Sequence, residues 1–155
     1  MATQQLAGQE IFQFLRSEQV NRIHDAAEEI AFKAGETVYH QGERADHFFI
    51  VLEGQVALRL QPEKGVSLLI DELRKGEVFG SCVCLQMDSY ALTAQCTLDS
   101  KVLSVRAATL KKLMDEDLVM GYATQTLISQ VYFKRYIDTM KKLQAVVHAI
   151  PLEAI

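Results

Sequence analysis

At 155 residues, 49% of them hydrophobic, the chain is long enough to bury one good core and too short for two ordinary domains, so a single domain over residues 1–155 is expected. A formal charge of −4 and a pI near 5.6 give no long-range attraction to phosphate polymers, and no basic run exceeds two residues, as at Lys141-Lys142. Neither a nucleic acid nor a membrane is therefore an expected partner. The opening MATQQLAGQEIF has no basic segment followed by an apolar one, and no apolar run approaches the length of a bilayer span; a cytoplasmic protein is expected. Three cysteines, an odd number, do not suggest a disulfide framework, and Cys82-x-Cys84 is too close for a C-x-x-C knuckle or redox pair. Cys82, Cys84 and Cys96 read as buried free thiols, since thiol sensing needs an electropositive, exposed neighbourhood that this segment lacks.

In chain order, residues 9–31 form a helical lead. Phe14, Leu15, Val20, Ile23, Ala27 and Ile30 recur at helical spacing, and Ser17 is placed to cap the second of two short helices. Over residues 32–106 the period falls to about two, and glycines at 35, 42, 54, 65, 76 and 80 separate short runs: TVYH, HFFIVLEG, QVALRL, VSLLIDEL, ALTAQCTL and KVLSV. Short strands joined by glycine turns predict an antiparallel sandwich or barrel. Gly35, Gly42 and Gly54 stand where tight turns call for positive φ, and Glu36 and Glu43 are placed to accept from turn amides.

Residues 107–150 return to a helical pattern with a break near Asp115–Asp117. Phe133, Tyr136, Met140, Leu143, Val147 and Ile150 are spaced 3, 4, 3, 4, 3, a heptad seam that Ser129, Thr126 and Tyr122 extend weakly backward. Leu127, Ile128, Val131 and Tyr132 form a second face that can lie on the β core. One helix with a face for its own domain and a seam besides implies a partner helix, most simply that of a second copy; the competing reading folds the seam back on the helical lead.

The run GETVYHQGERADHFFIVLEGQVAL closely resembles the cyclic-nucleotide-binding domains of the catabolite-activator family, also found in protein kinase A regulatory subunits and gated channels. Nearly every position of that family's glycine punctuation is matched from Gly35 to Gly54. The resemblance implies a mainly β fold with flanking helices: an antiparallel β-roll (jelly-roll, double-stranded β-helix) with N-terminal helices and a long C-terminal dimerisation helix. It further implies a phosphate-binding segment F-G-E-x-(A/G)-L followed by R-(S/A)-A, in which the glutamate holds the ribose 2′-OH and the arginine pairs the cyclic phosphate. Here FGSCVCL puts Ser81 in the glutamate's place and SYALTA puts Tyr90 in the arginine's. Arg106-Ala107-Ala108 follows a later strand and reads as an ordinary strand–helix junction.

The degenerate pocket implied by this resemblance comprises Phe79, Gly80, Ser81, Cys82, Val83, Tyr90, Ala91 and Thr93. Backbone N–H groups at Gly80, Ser81 and Cys82 would open a helix and keep a weak pull on anions. Two readings stay open: a regulatory sensor whose pocket takes another small, weakly charged molecule, and a ligand-free interaction module working through dimerisation or a protein partner. A third, the effector domain of a transcription regulator, needs a DNA-binding domain after Ile150, where only Pro151 and four residues follow. No enzyme, metal or cofactor is expected, because His24, His40, His47 and His148 assemble into no catalytic or ligating pattern.

Overall fold

The uninterrupted apolar run Phe48-Phe49-Ile50-Val51-Leu52 occupies the middle of the molecule, and the computed structural model, which describes residues 15–80 and 88–149, accounts for its lack of a polar face. Among the described residues the strands are β1 (Glu28–Phe32), β2 (Thr37–Tyr39), β3 (His47–Glu53), β4 (Val56–Leu60), β5 (Leu68–Leu73), β6 (Val78–Gly80), β7 (Thr93–Cys96) and β8 (Ser100–Arg106). They form two antiparallel sheets ordered β1-β8-β3-β6 and β2-β7-β4-β5. Helix α1 (Ser17–Asp25) precedes the roll; α2 (Ala107–Glu116) and α3 (Leu118–His148) follow it.

Side chains alternate across a strand, so β3 serves two cores. Phe49 and Val51 face the second sheet with Phe79, Tyr39, Leu58, Ala94 and Val102. Phe48, Ile50 and Leu52 face the helices with Val20, Ile23, Leu110, Met120 and Ile128. The first sheet is thus the middle of three layers, and its central strand must be apolar on both sides.

The helical lead ends earlier than the spacing suggested. Ala27 to Ile30 is not helical: Glu28–Phe32 is β1, paired to β8 with Ile30 opposite Val102. Ile23, Ala27 and Ile30 satisfy a helical period over too short a window to exclude a strand, and the free edge of β8 decides the matter by offering a backbone partner. The roll therefore starts at residue 28 rather than 32. Ser17 lies in the first turn of α1 and does not cap it. Arg16 is the cap residue, and its N–H donates to Gln19 Oε1 at 2.9 Å, the returning half of a capping box. The other helix expected in the lead lies outside the described residues. β6 escaped the sequence reading because three residues carry too little alternation.

Gly35, Gly42 and Gly54 all take φ near +90°. At Gly54, between β3 and β4, a Cβ would stand 2.2 Å from Ser100 Oγ, so the turn requires the missing side chain as well as the φ. Glu36 accepts from the Lys33 N–H at 3.3 Å within its turn. The break between α2 and α3 falls at Asp117, whose carboxylate caps α3 at the Met120 N–H (3.1 Å) and receives Gln19 Nε2 (2.8 Å). Arg22 and Glu116, 2.6 Å apart, tie α1 to the same elbow. Among the described residues no helix is long and apolar enough to cross a membrane.

Candidate functional site

Four aromatic side chains from β2, β3, β6 and the approach to β7 meet in the space between the sheets. The Tyr90 ring stacks on Tyr39 at 3.7 Å and 15°, Phe49 stacks on Phe79 at 5.0 Å, and Tyr39 lies 5.7 and 6.0 Å from those two rings. Tyr90 is 5% exposed. Its hydroxyl accepts from the His47 N–H at 3.2 Å and lies 3.3 Å from the His47 carbonyl, to which it donates. Its own N–H and carbonyl are bound to the Glu43 carbonyl and the Gly42 N–H, each at 2.9 Å. Burial pushes the phenols of Tyr90 and Tyr39 above their ordinary range, so both rings are neutral. A neutral, doubly bonded phenol in this position fills space and offers an anion no charge.

Gly80 ends β6 with φ +95°. A Cβ there would meet the His47 carbonyl at 2.6 Å and Phe49 Cδ2 at 2.7 Å, so the strand end is pressed against β3. The Gly80 carbonyl accepts from the Tyr132 hydroxyl at 3.0 Å, which brings α3 to the same point. Burial also raises the Tyr132 phenol.

From Tyr132 onward α3 runs along β6 and β5, the end strands of the two sheets. Arg135, its side chain only 12% exposed, contacts Asp71 Oδ2 at 3.1 Å and the Val78 carbonyl at 2.8 Å, with its guanidinium 5.1 Å from the Tyr132 ring centre. Lys142 donates to the Ile70 carbonyl. Three strand-edge carbonyls, those of Gly80, Val78 and Ile70, are thus satisfied by one helix, a way of closing sheet edges that would otherwise expose unpaired backbone. A cleft of about 260 Å³ remains beside this strap, lined by Glu77, Val78, Leu127, Val131, Lys134 and Arg135 among others. The Glu77 carboxyl is raised above its ordinary value by burial and then by neighbouring Asp71.

Of the residues that the sequence nominated for the pocket, Phe79, Gly80 and Tyr90 come together here. Ala91 is exposed and stands apart. Thr93 opens β7 on the face opposite Ala94 and Cys96, its hydroxyl accepting from the Gln41 N–H and donating to Gln61 Oε1, both at 3.0 Å. Ser81, Cys82, Val83 and Cys84 lie outside the described residues. Cys96 is buried, and burial raises its thiol. Arg106 is the last residue of β8 and the cap position of α2. Phe133, Tyr136, Met140, Leu143 and Val147 are exposed on α3, Phe133 at 65% and Tyr136 at 55%, while Leu127, Ile128, Val131 and Tyr132 pack on the core; Ile150 lies outside the described residues. Tyr39, Phe49, Asp71 and Arg135 were not singled out from sequence. Arg135 had a signal, standing three residues after Tyr132 on the face that begins at Ile128.

Two antiparallel sheets rolled around an aromatic interior, with flanking helices and a long terminal helix laid across their open edges, define a β-roll domain. The chain belongs to the cyclic nucleotide-binding domain family: the family model matches residues 29–117, more than half of its length. It is 24% identical over 141 residues to the cAMP-dependent protein kinase regulatory subunit of Dictyostelium discoideum, covering 90% of this chain and 43% of that protein. It is 35% identical over 71 residues to the corresponding subunit of Mucor circinelloides f. lusitanicus, covering 46% of this chain and 16% of that protein. The chain thus spans less than half the length of these curated relatives. Among solved structures, a putative cyclic nucleotide-binding protein from Geobacter metallireducens superposes with a TM-score of 0.75 at 20% identity, covering 88% of this chain and 98% of that one. The Thermus thermophilus catabolite activator protein gives 0.72 at 19% identity, covering 87% and 62% respectively. At these identities the structural likeness is one of fold.

Proposed function

We propose that this chain is a dimeric regulatory module whose β-roll does not hold cyclic AMP or cyclic GMP by the family's usual contacts and acts through the arrangement of α3. The observation that carries the reading is Tyr90, which takes the arginine's place in the resemblance and turns inward onto Tyr39 with its hydroxyl bound to His47. A bidentate arginine–phosphate pair supplies two charged hydrogen bonds of about 1.5 to 3 kcal/mol each. Their loss, about 3 to 6 kcal/mol, lowers affinity on the order of a hundredfold to ten-thousandfold. Isothermal titration is expected to give dissociation constants weaker than about 100 μM for both nucleotides; a low-micromolar constant for either overturns the proposal. The exposed seam of α3 supports the dimer.

A second reading, a sensor of another small molecule, draws on the cleft of about 260 Å³ beside Glu77 and Arg135. Under that reading a metabolite panel raises the melting temperature where cyclic nucleotides do not. Uniform silence across the panel favours the ligand-free module.

A further inference from the structure

We propose that the outer face of the second sheet, at Arg59, Gln41, Gln61 and Thr93, binds the carboxylate of a small organic molecule. None of these residues lines the cleft beside Glu77 and Arg135 or belongs to the α3 seam, so the site is independent of that cleft and of the dimer. Val56 and Leu58 point into the aromatic interior, and by alternation Arg59 on β4 points the other way. In register it stands between Thr93 of β7, which shares that outward face, and Leu69 of β5, which is 43% exposed.

The hydrogen bonds around Thr93 leave donors and no acceptor. Its hydroxyl accepts from the Gln41 N–H at 3.0 Å and therefore gives its own proton to Gln61 Oε1, also at 3.0 Å. The Gln61 N–H in turn donates to Gln41 Oε1 at 2.8 Å. Both amide oxygens are thereby fixed, and both amide NH2 groups are left without a protein partner among the described residues. Directly across from Thr93, Arg59 Nε is buried and also lacks a partner, and among the described residues no carboxylate stands within ion-pair distance of its guanidinium. A buried donor is costly to leave unbonded. A cation flanked by amide donors is met by an oxyanion, and a single positive charge matches a carboxylate better than the dianion of a phosphate monoester. Gln61 also lines an open hollow of about 610 Å³ in the β4–β5 turn, where Glu63 and Lys64 cancel in charge and Val66 is apolar. That hollow and the exposed Leu69 give the rest of a small molecule an uncharged place to lie.

Nuclear magnetic resonance of the nitrogen-labelled chain, titrated with butyrate, tests the site. Butyrate is expected to shift the Arg59 Nε–H, the Gln41 and Gln61 side-chain NH2 and the Thr93 N–H resonances saturably, where chloride at equal ionic strength does not. Arg59→Gln is expected to weaken that binding about tenfold or more, and Gln61→Leu, which leaves the cation in place, about threefold. Shifts that match those from chloride, or saturable shifts that survive unchanged in both variants, overturn the site. Saturation centred on Glu77 and Arg135 overturns it as well and moves the ligand to the cleft. Tighter saturation of the same resonances by inorganic phosphate overturns the carboxylate assignment.

Discussion

Tyr90 is part of the core between the two sheets. An arginine in its place would present a charge to the interior; a phenol presents a flat apolar ring that stacks on Tyr39, and its single polar atom is satisfied twice by the backbone of His47. Buried hydroxyls are tolerated only with such partners. Truncating Tyr90 to alanine removes a buried aromatic ring and is expected to cost about 3 to 5 kcal/mol of unfolding free energy. Tyr90→Phe keeps the ring and is expected to cost about 1 kcal/mol. Urea denaturation at fixed protein concentration measures both, and equal losses would show that the hydroxyl, rather than the ring, holds the site.

Among the elements, α3 carries two different attachments. Its first half buries Met120, Thr124 and Ile128 against the first sheet, whereas its second half is held by polar contacts from Arg135 and Lys142 to strand edges. The carboxylates near Arg135 are unequal: Asp71 is paired with it, while Glu77 at the cleft rim is raised by burial and by Asp71. A carboxyl raised above its ordinary 4.5 binds its proton more tightly in the folded state. Its contribution to stability is complete below that value and is lost as pH rises through the higher folded value. Glu77→Gln is therefore expected to melt above wild type at about pH 7 and level with it at about pH 4, by a few degrees or less because the group is partly solvated. Thermal melts across that range check the sign, and a variant less stable than wild type at neutral pH would mean that Glu77 has an attractive partner.

For the whole molecule, the seam Phe133, Tyr136, Met140, Leu143 and Val147 faces solvent along a helix already anchored on its other side. In the proposed dimer, burying each such side chain contributes about 1.5 to 3 kcal/mol before association costs, and five from each copy would outweigh those costs. One self-complementary stripe meeting its copy gives two-fold symmetry. Met140→Asp with Leu143→Asp is expected to split the dimer and leave the roll folded, since neither residue belongs to either buried cluster. Light scattering with far-UV circular dichroism reads both outcomes, and an unchanged dimer in the double variant would refute the seam.

What the sequence determined by itself lies where a local pattern has one physical solution. Glycines at Gly35, Gly42 and Gly54 with alternating runs between them pointed to turns and strands, and the spacing from Phe133 to Val147 sets those residues on one stripe of a helix. That Ser81 and Tyr90 carry no charge was equally legible, because side-chain chemistry is written in the sequence itself. Tertiary structure alone decided the rest. Glu28–Phe32 became a strand because β8 had an unpaired edge, which no pattern within five residues records. Whether Tyr90 turned outward to a ligand or inward to the core depended on Tyr39, 51 positions earlier in the chain, and on the backbone of His47. The strap of Arg135 and Lys142 depended likewise on carbonyls of β5 and β6 that only the folded sheets leave unpaired. Backbone groups look alike in any sequence, and only the closing of the sheets shows which of them still need a partner.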